Sequence, residues 1–146
     1  MKRISLLLLI FSTSIIAQTD YHRLIWNDDP STTATIGWHE SLLTSVLGET
    51  KIFYDVVDRG TAAADYVFTQ VPDRERLAQG MRNIFAHLTG LQPNTMYYFV
   101  IHNETLGYTS PRFKFKTLPA DKSRLSFIAG GDSRTDGTPD LIANRT

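Results

Sequence analysis

Between Thr19 and Thr117 the apolar residues of this 146-residue chain recur at every second position, and that period restricts the fold more than any other feature. Ala34, Ile36 and Trp38 alternate with Thr33, Thr35 and Gly37. Ile84, Ala86 and Leu88 repeat the pattern, as do Tyr97, Phe99 and Ile101, and Phe113 and Phe115 are set against Arg112, Lys114 and Lys116. Successive side chains of a strand point to opposite faces, so each run has one apolar and one wet face. Turn residues separate the runs: Asp29-Pro30, Gly90, Pro93-Asn94 and Gly107. Tyr21 to Trp26 and Lys51 to Val57 read as further strands and Tyr66 to Val71 as a weaker one, with 58–65 and 72–80 as loops. Seven short strands punctuated by turns predict an all-β sandwich.

Composition narrows the classes. Fifteen basic residues balance fifteen acidic ones, so the chain lacks the cationic footprint of a nucleic-acid binder. With no cysteine there is neither a disulfide framework nor a thiolate metal site, and burial alone must hold the core. Met1-Lys2-Arg3 followed by a mostly apolar run from Ile4 to Ile16 and the small residue Ala17 has the form of a secretory signal peptide over residues 1–17. The run is short of the roughly 20 apolar residues a spanning helix needs. Ile15 is larger than the residue usual two places before such a cleavage position. Losing Lys2 and Arg3 leaves 13 basic against 15 acidic residues, and no cysteine is present to carry a lipid anchor. The expected location is secreted or periplasmic, with no membrane attachment after cleavage.

The stretch Leu88-Thr89-Gly90-Leu91-Gln92-Pro93-Asn94-Thr95-Met96-Tyr97-Tyr98-Phe99 resembles the corner between the fifth and sixth strands of a fibronectin type III or immunoglobulin-like sandwich. In that pattern Leu91 fills the core end, Pro93 presets the turn, and the Tyr97 hydroxyl bonds back to upstream backbone. Trp38 matches the buried core tryptophan, and Phe115-Lys116-Thr117-Leu118-Pro119 the exit strand. The run Asp29-Pro30-Ser31-Thr32-Thr33-Ala34-Thr35-Ile36-Gly37-Trp38 is similar to the opening of the N-terminal domain of purple acid phosphatases. The resemblance implies a domain over 19–118 that precedes a metallophosphoesterase domain.

The period changes after the linker 119–123. Leu125-Ser126-Phe127-Ile128-Ala129 is an almost continuous apolar run, expected of a strand covered on both faces, and it ends at Gly130-Gly131-Asp132. Thr138-Pro139-Asp140 reads as a helix start, with Thr138 as N-cap and Pro139 at the first helical position. Residues 124–146 therefore read as the truncated start of an α/β domain, with Asp132 at a strand's carboxyl end, where such sheets bind ligands. In purple acid phosphatases and other calcineurin-like phosphoesterases a Gly-Asp pair ends the first strand, and the resemblance makes Asp132 a metal ligand. It implies two metal ions, iron paired with iron, zinc or manganese, a phosphate-ester substrate, and an inactive fragment, because the remaining ligands lie further along. Arg134 stands where the wider family has histidine and the purple acid phosphatase branch commonly has glycine.

Two other readings stand beside this one. Gly131-Asp132-Ser133 also resembles the first block of the Gly-Asp-Ser esterases, which would make Ser133 a nucleophile awaiting a distant histidine. Alternatively, the chain is a secreted, non-enzymatic binding module with a tail. A solvated tail needs neither an apolar strand nor a capped helix. His22, His39, His87 and His102 fall on different strands without ligand spacing, and read as surface or edge residues. Asp132, Asp136 and Asp140 are four apart, unlike a calcium loop. Asn103-Glu104-Thr105 and Asn144-Arg145-Thr146 fit the glycosylation pattern.

Overall fold

Ala34 to Glu40 buries every second side chain against the core, and around it the chain assembles two antiparallel sheets. The computed structural model describes residues 19–40, 47–121 and 123. The leader, the strand and helix start expected after Ser123, and Asp132 and Ser133 lie outside the described residues. The strands are β1 (Thr19–Ile25), β2 (Ala34–Glu40), β3 (Thr50–Asp55), β4 (Phe68–Gln70), β5 (Arg74–Ala78), β6 (Met81–Leu88), β7 (Met96–Asn103), β8 (Tyr108–Thr109) and β9 (Phe113–Lys116). One sheet runs β1-β2-β6-β5. The other runs β4-β3-β7, with β8 and β9 both on the far edge of β7. This is the all-β sandwich the alternation predicts, of the fibronectin type III or immunoglobulin-like kind that the resemblance implies.

The core lies between the sheets. Ala34, Ile36, Trp38, Ile84, Ala86 and Leu88 from one sheet meet Ile52, Tyr97, Phe99, Ile101 and Phe115 from the other, with Leu91 closing one end. Burial stabilises each large aliphatic or aromatic side chain by roughly 1.5–3 kcal/mol. Trp38 has no exposed surface, as its resemblance to the family tryptophan implies, and its indole N–H is unpaired. On the outer face of the second sheet, Ala63 and Tyr66 from the connection after β3 cover Val100. Buried Asp55 anchors that connection by accepting bonds from the Val56 and Val57 N–H groups and from Arg59 Nε. Burial pushes the Asp55 carboxyl pKa up, but these bonds outweigh it and hold the pKa below its ordinary value.

The expected loop 72–80 is in fact strand β5, paired with β6 along its whole length. Arg74-Glu75-Arg76-Leu77-Ala78 lacks an apolar alternation because it is an edge strand, and both its faces are largely wet. The hairpin closes through Gln79 (φ 51°) and Gly80 (φ 74°), the pair of positive φ values a two-residue type I′ turn requires. Two further departures are small. Tyr66 to Val71 contributes only three strand residues, and Tyr108–Thr109 adds a two-residue strand.

Candidate functional site

The chain leaves the sandwich at the corner where three sequence signals converge. Asp29 Oδ1 accepts the Ser31 N–H (2.9 Å) and hydroxyl (2.7 Å), and its carbonyl accepts the Thr33 N–H (2.9 Å) and hydroxyl (2.8 Å). The Ser31 bonds, the backbone one foremost, hold the Asp29 carboxyl pKa below its ordinary value. This local turn presents the Pro30 carbonyl to the Leu118 N–H (3.0 Å) and the Thr32 carbonyl to the Leu91 N–H (2.9 Å). Asp29-Pro30-Ser31-Thr32 therefore ties the entry into β2 to both the tyrosine corner and the exit segment.

Thr117 completes the clamp. Its buried hydroxyl donates to the Gln92 carbonyl (2.6 Å) and accepts the Thr95 N–H (2.9 Å), while its own N–H reaches the Thr95 carbonyl (3.0 Å). The Leu118 carbonyl accepts the Asn94 N–H (3.0 Å). Tyr97 closes the corner as expected, its hydroxyl accepting the Gln92 N–H (2.9 Å) while its ring stacks on Phe115 at 5.6 Å. The exit backbone is thus fixed up to Leu118 by bonds to two other loops. The arrangement sets where whatever follows must begin, and it does so with neutral donors and acceptors apart from Asp29.

The other end carries a cluster the sequence did not announce. Buried Glu40 continues the inward face of β2, and its Oε1 accepts the Thr50 hydroxyl (2.7 Å). The Thr50 hydroxyl oxygen in turn accepts the Asn103 amide (2.9 Å), so the link crosses from one sheet to the other. Buried Arg82 forks onto Glu75 through Nε (2.9 Å) and Nη2 (3.0 Å). That bond lowers the Glu75 pKa and raises that of Arg82, which also feels the charges of Glu40 and Glu49. Asn103, read from sequence as a glycosylation acceptor, has 1% of its surface exposed, and its Oδ1 caps the Leu106 N–H. It is a structural amide of the folded chain. The signal available in the sequence was position: Glu40 and Arg82 sit in the inward register of their strands.

The four histidines are brought to no common point. His22 bonds Thr19 and packs on Phe113, and burial lowers its pKa despite the nearby Asp20 charge. His39 pairs with Asp20 (2.6 Å), His87 with Thr35 and Asp28, and His102 with Thr109. All four are half-buried, three of them facing a strand partner, so they are more constrained than free surface residues. Among the described residues no group of three or more His, Asp or Glu could hold a metal ion. Lys114 and Lys116 are exposed on the wet face of β9, and Arg112 pairs with Asp58.

The family model of the purple acid phosphatase N-terminal domain matches residues 20–117. The chain belongs to that family. In this purple acid phosphatase module the match ends at Thr117, the residue whose hydroxyl locks the exit strand. Among solved structures, the sensor domain of the anti-sigma factor RsgI4 from Pseudobacteroides cellulosolvens is similar at 18% identity and a TM-score of 0.45, covering 74% of this chain and 99% of that one. No curated protein sequence matches the chain.

Proposed function

We propose that the chain is the N-terminal part of an exported metallophosphoesterase, with the sandwich as accessory domain over 19–118, 119–123 as linker, and 124–146 opening the catalytic domain. The family match over residues 20–117 carries this reading, supported by the Gly130-Gly131-Asp132 sequence that follows the linker. The donor sets of the described residues do not fit a metal centre, so none of the chemistry is assigned to the sandwich. Asp132 is the proposed first metal ligand. A carboxylate suits hard cations, and a two-metal centre supplies an activated hydroxide and a clamp on the phosphate oxygens. The sandwich contributes a fixed point of departure, through Thr117 and Leu118. The family relationship also favours this reading over Ser133 as an esterase nucleophile.

The test is metal content and phosphate-ester hydrolysis of the protein with its downstream sequence, comparing wild type with Asp132→Ala and the near-isosteric Asp132→Asn. Loss of one metal equivalent and of activity in both variants is expected. Unchanged metal content in both would overturn the assignment. Export is tested separately: a mature N-terminus beginning at Gln18 is expected, and a retained Met1 would overturn the leader.

A further inference from the structure

The outer face of the β1-β2-β6-β5 sheet carries a row in strict register across all four strands: Arg23, Gly37, Phe85 and Arg74. Glycine is a poor residue for a central strand, and here the space it leaves is used. A Cβ at position 37 would meet the Phe85 ring at 3.0 Å, so the ring lies against the bare backbone. From the two edge strands, the guanidinium carbons of Arg74 and Arg23 approach that ring to 4.5 Å and 5.6 Å from its centroid. Arg23 also donates to Asn83 of the next row, which contains Arg76.

Among the described residues no carboxylate is paired with Arg23, Arg74 or Arg76, although the chain has as many acidic as basic residues. Arg74 and Arg76 share a face two residues apart, about 7 Å at strand spacing. Beside them lies an open, polar cleft of about 240 Å³, lined by Arg74, Phe85, Thr35, His87, Asp28 and Asp73. Its two carboxylates already face His87: Asp28 at 3.6 Å from Nε2, and Asp73 accepting the backbone N–H at 3.0 Å.

We propose that this face binds a phosphate group, free or as a monoester, with the stacked Arg74 guanidinium as the main fork and Arg23 and Arg76 as flanking donors. A guanidinium stacked on an aromatic ring is already oriented, so less freedom is lost when its fork closes on an anion. One fork fills the two oxygens of a carboxylate. Arg74 in the cleft, with Arg23 on the same Phe85 ring and Arg76 two residues along the strand, offers more donors than one fork, matching the three acceptor oxygens and near-dianionic charge of a phosphate monoester. The site is independent of Asp132 and of any hydrolysis.

Titration of the 146-residue chain with inorganic phosphate and with glycerol 2-phosphate, followed by NMR shifts of backbone amides, tests it without an activity readout. Saturable shifts centred on Arg74, Phe85 and Asn83 are expected. Arg74→Gln should weaken binding at least about tenfold, the scale of one charge-assisted bond. Arg74→Lys should weaken it as well, since charge is kept but the fork is lost. Lys116→Gln, on the other sheet, should leave it unchanged. Equal affinity for both probes assigns the site to phosphate esters as well as free phosphate, and binding of inorganic phosphate alone restricts it to the free ion. Absence of saturable binding, equal weakening by Lys116→Gln, or full retention in Arg74→Lys would each overturn the proposal.

Discussion

The two ends of the sandwich are closed by different chemistry. At the exit corner, Thr117, Tyr97 and the Asp29–Thr33 turn satisfy backbone groups with hydroxyls and other backbone groups, and only Asp29 is charged. At the opposite end, Glu40, Arg82 and Glu75 are drawn inward among Thr50 and Asn103. Neutral bonds fix a path for the chain at little electrostatic risk, which suits the point where a second domain is proposed to start. Buried ionic groups tolerate no missing partner, because an uncompensated charge in a poorly solvated site is costly. The ends should therefore fail differently when cut.

The largest effect is expected from Arg82→Ala. It removes both forked bonds to the partly exposed Glu75 and the positive charge near Glu40 and Glu49, at a cost of about 3 kcal/mol, the upper end for hydrogen bonds to a charged group. The urea midpoint should fall, and the variant should also lose less on acidification. The Glu75 pKa is lowered in the folded wild type, so its contribution is present above the ordinary glutamate value and is lost as pH falls through the folded value. Without Arg82 that loss has nothing to remove. A variant as stable as wild type at pH 7 would show that the cluster holds nothing together.

Thr117→Val is the matching cut at the exit corner. Valine keeps the volume but leaves the Gln92 carbonyl and Thr95 N–H without the hydroxyl, at about 2 kcal/mol for two unsatisfied backbone groups. Because both bonds are neutral, the loss should be the same at 0.05 M and 0.5 M salt. A salt-dependent loss would mean that charge reaches this corner after all.

The difference between the ends also governed how legible each was in the sequence. The exit corner is built from short-range signals, an Asp-Pro-Ser turn and a Leu-x-Pro-x-x-x-Tyr corner, whose geometry follows from residue type. The core strands were equally readable, since Ala34-x-Ile36-x-Trp38 fits only one face pattern. The ionic end joins residues 7 to 53 positions apart, and although Glu40 and Arg82 fall in the inward register of their strands, nothing local names their partners or tells Asn103 from a surface amide. For the same reason the Asn103 sequon looked like a modification site. Strand β5 escaped because an edge strand is free to be charged on both faces. The row Arg23-Gly37-Phe85-Arg74 exists only in cross-strand register, which a linear pattern does not contain. Asp132, the residue on which the proposed chemistry depends, lies outside the described residues, and its assignment rests on the apolar run before it and on resemblance.

The finest division between the ends concerns the one charge at the exit corner, and Asp29→Asn isolates it. The asparagine oxygen can still accept from the Ser31 N–H and hydroxyl, so the turn is retained while the charge is lost. Since Asp29 has a lowered pKa in the folded chain, its charge stabilises above the ordinary aspartate value, and that share disappears as pH falls through the folded value. Wild type should be slightly the more stable at pH 7, and the gap in urea midpoint should close toward pH 3. A gap that persists unchanged in acid would place the contribution of Asp29 in turn geometry, making the exit corner neutral in effect as well as in composition. A gap that closes leaves one charged acceptor in it, exposed and weakly held, where the opposite end has the Arg82–Glu75 pair and the buried Glu40.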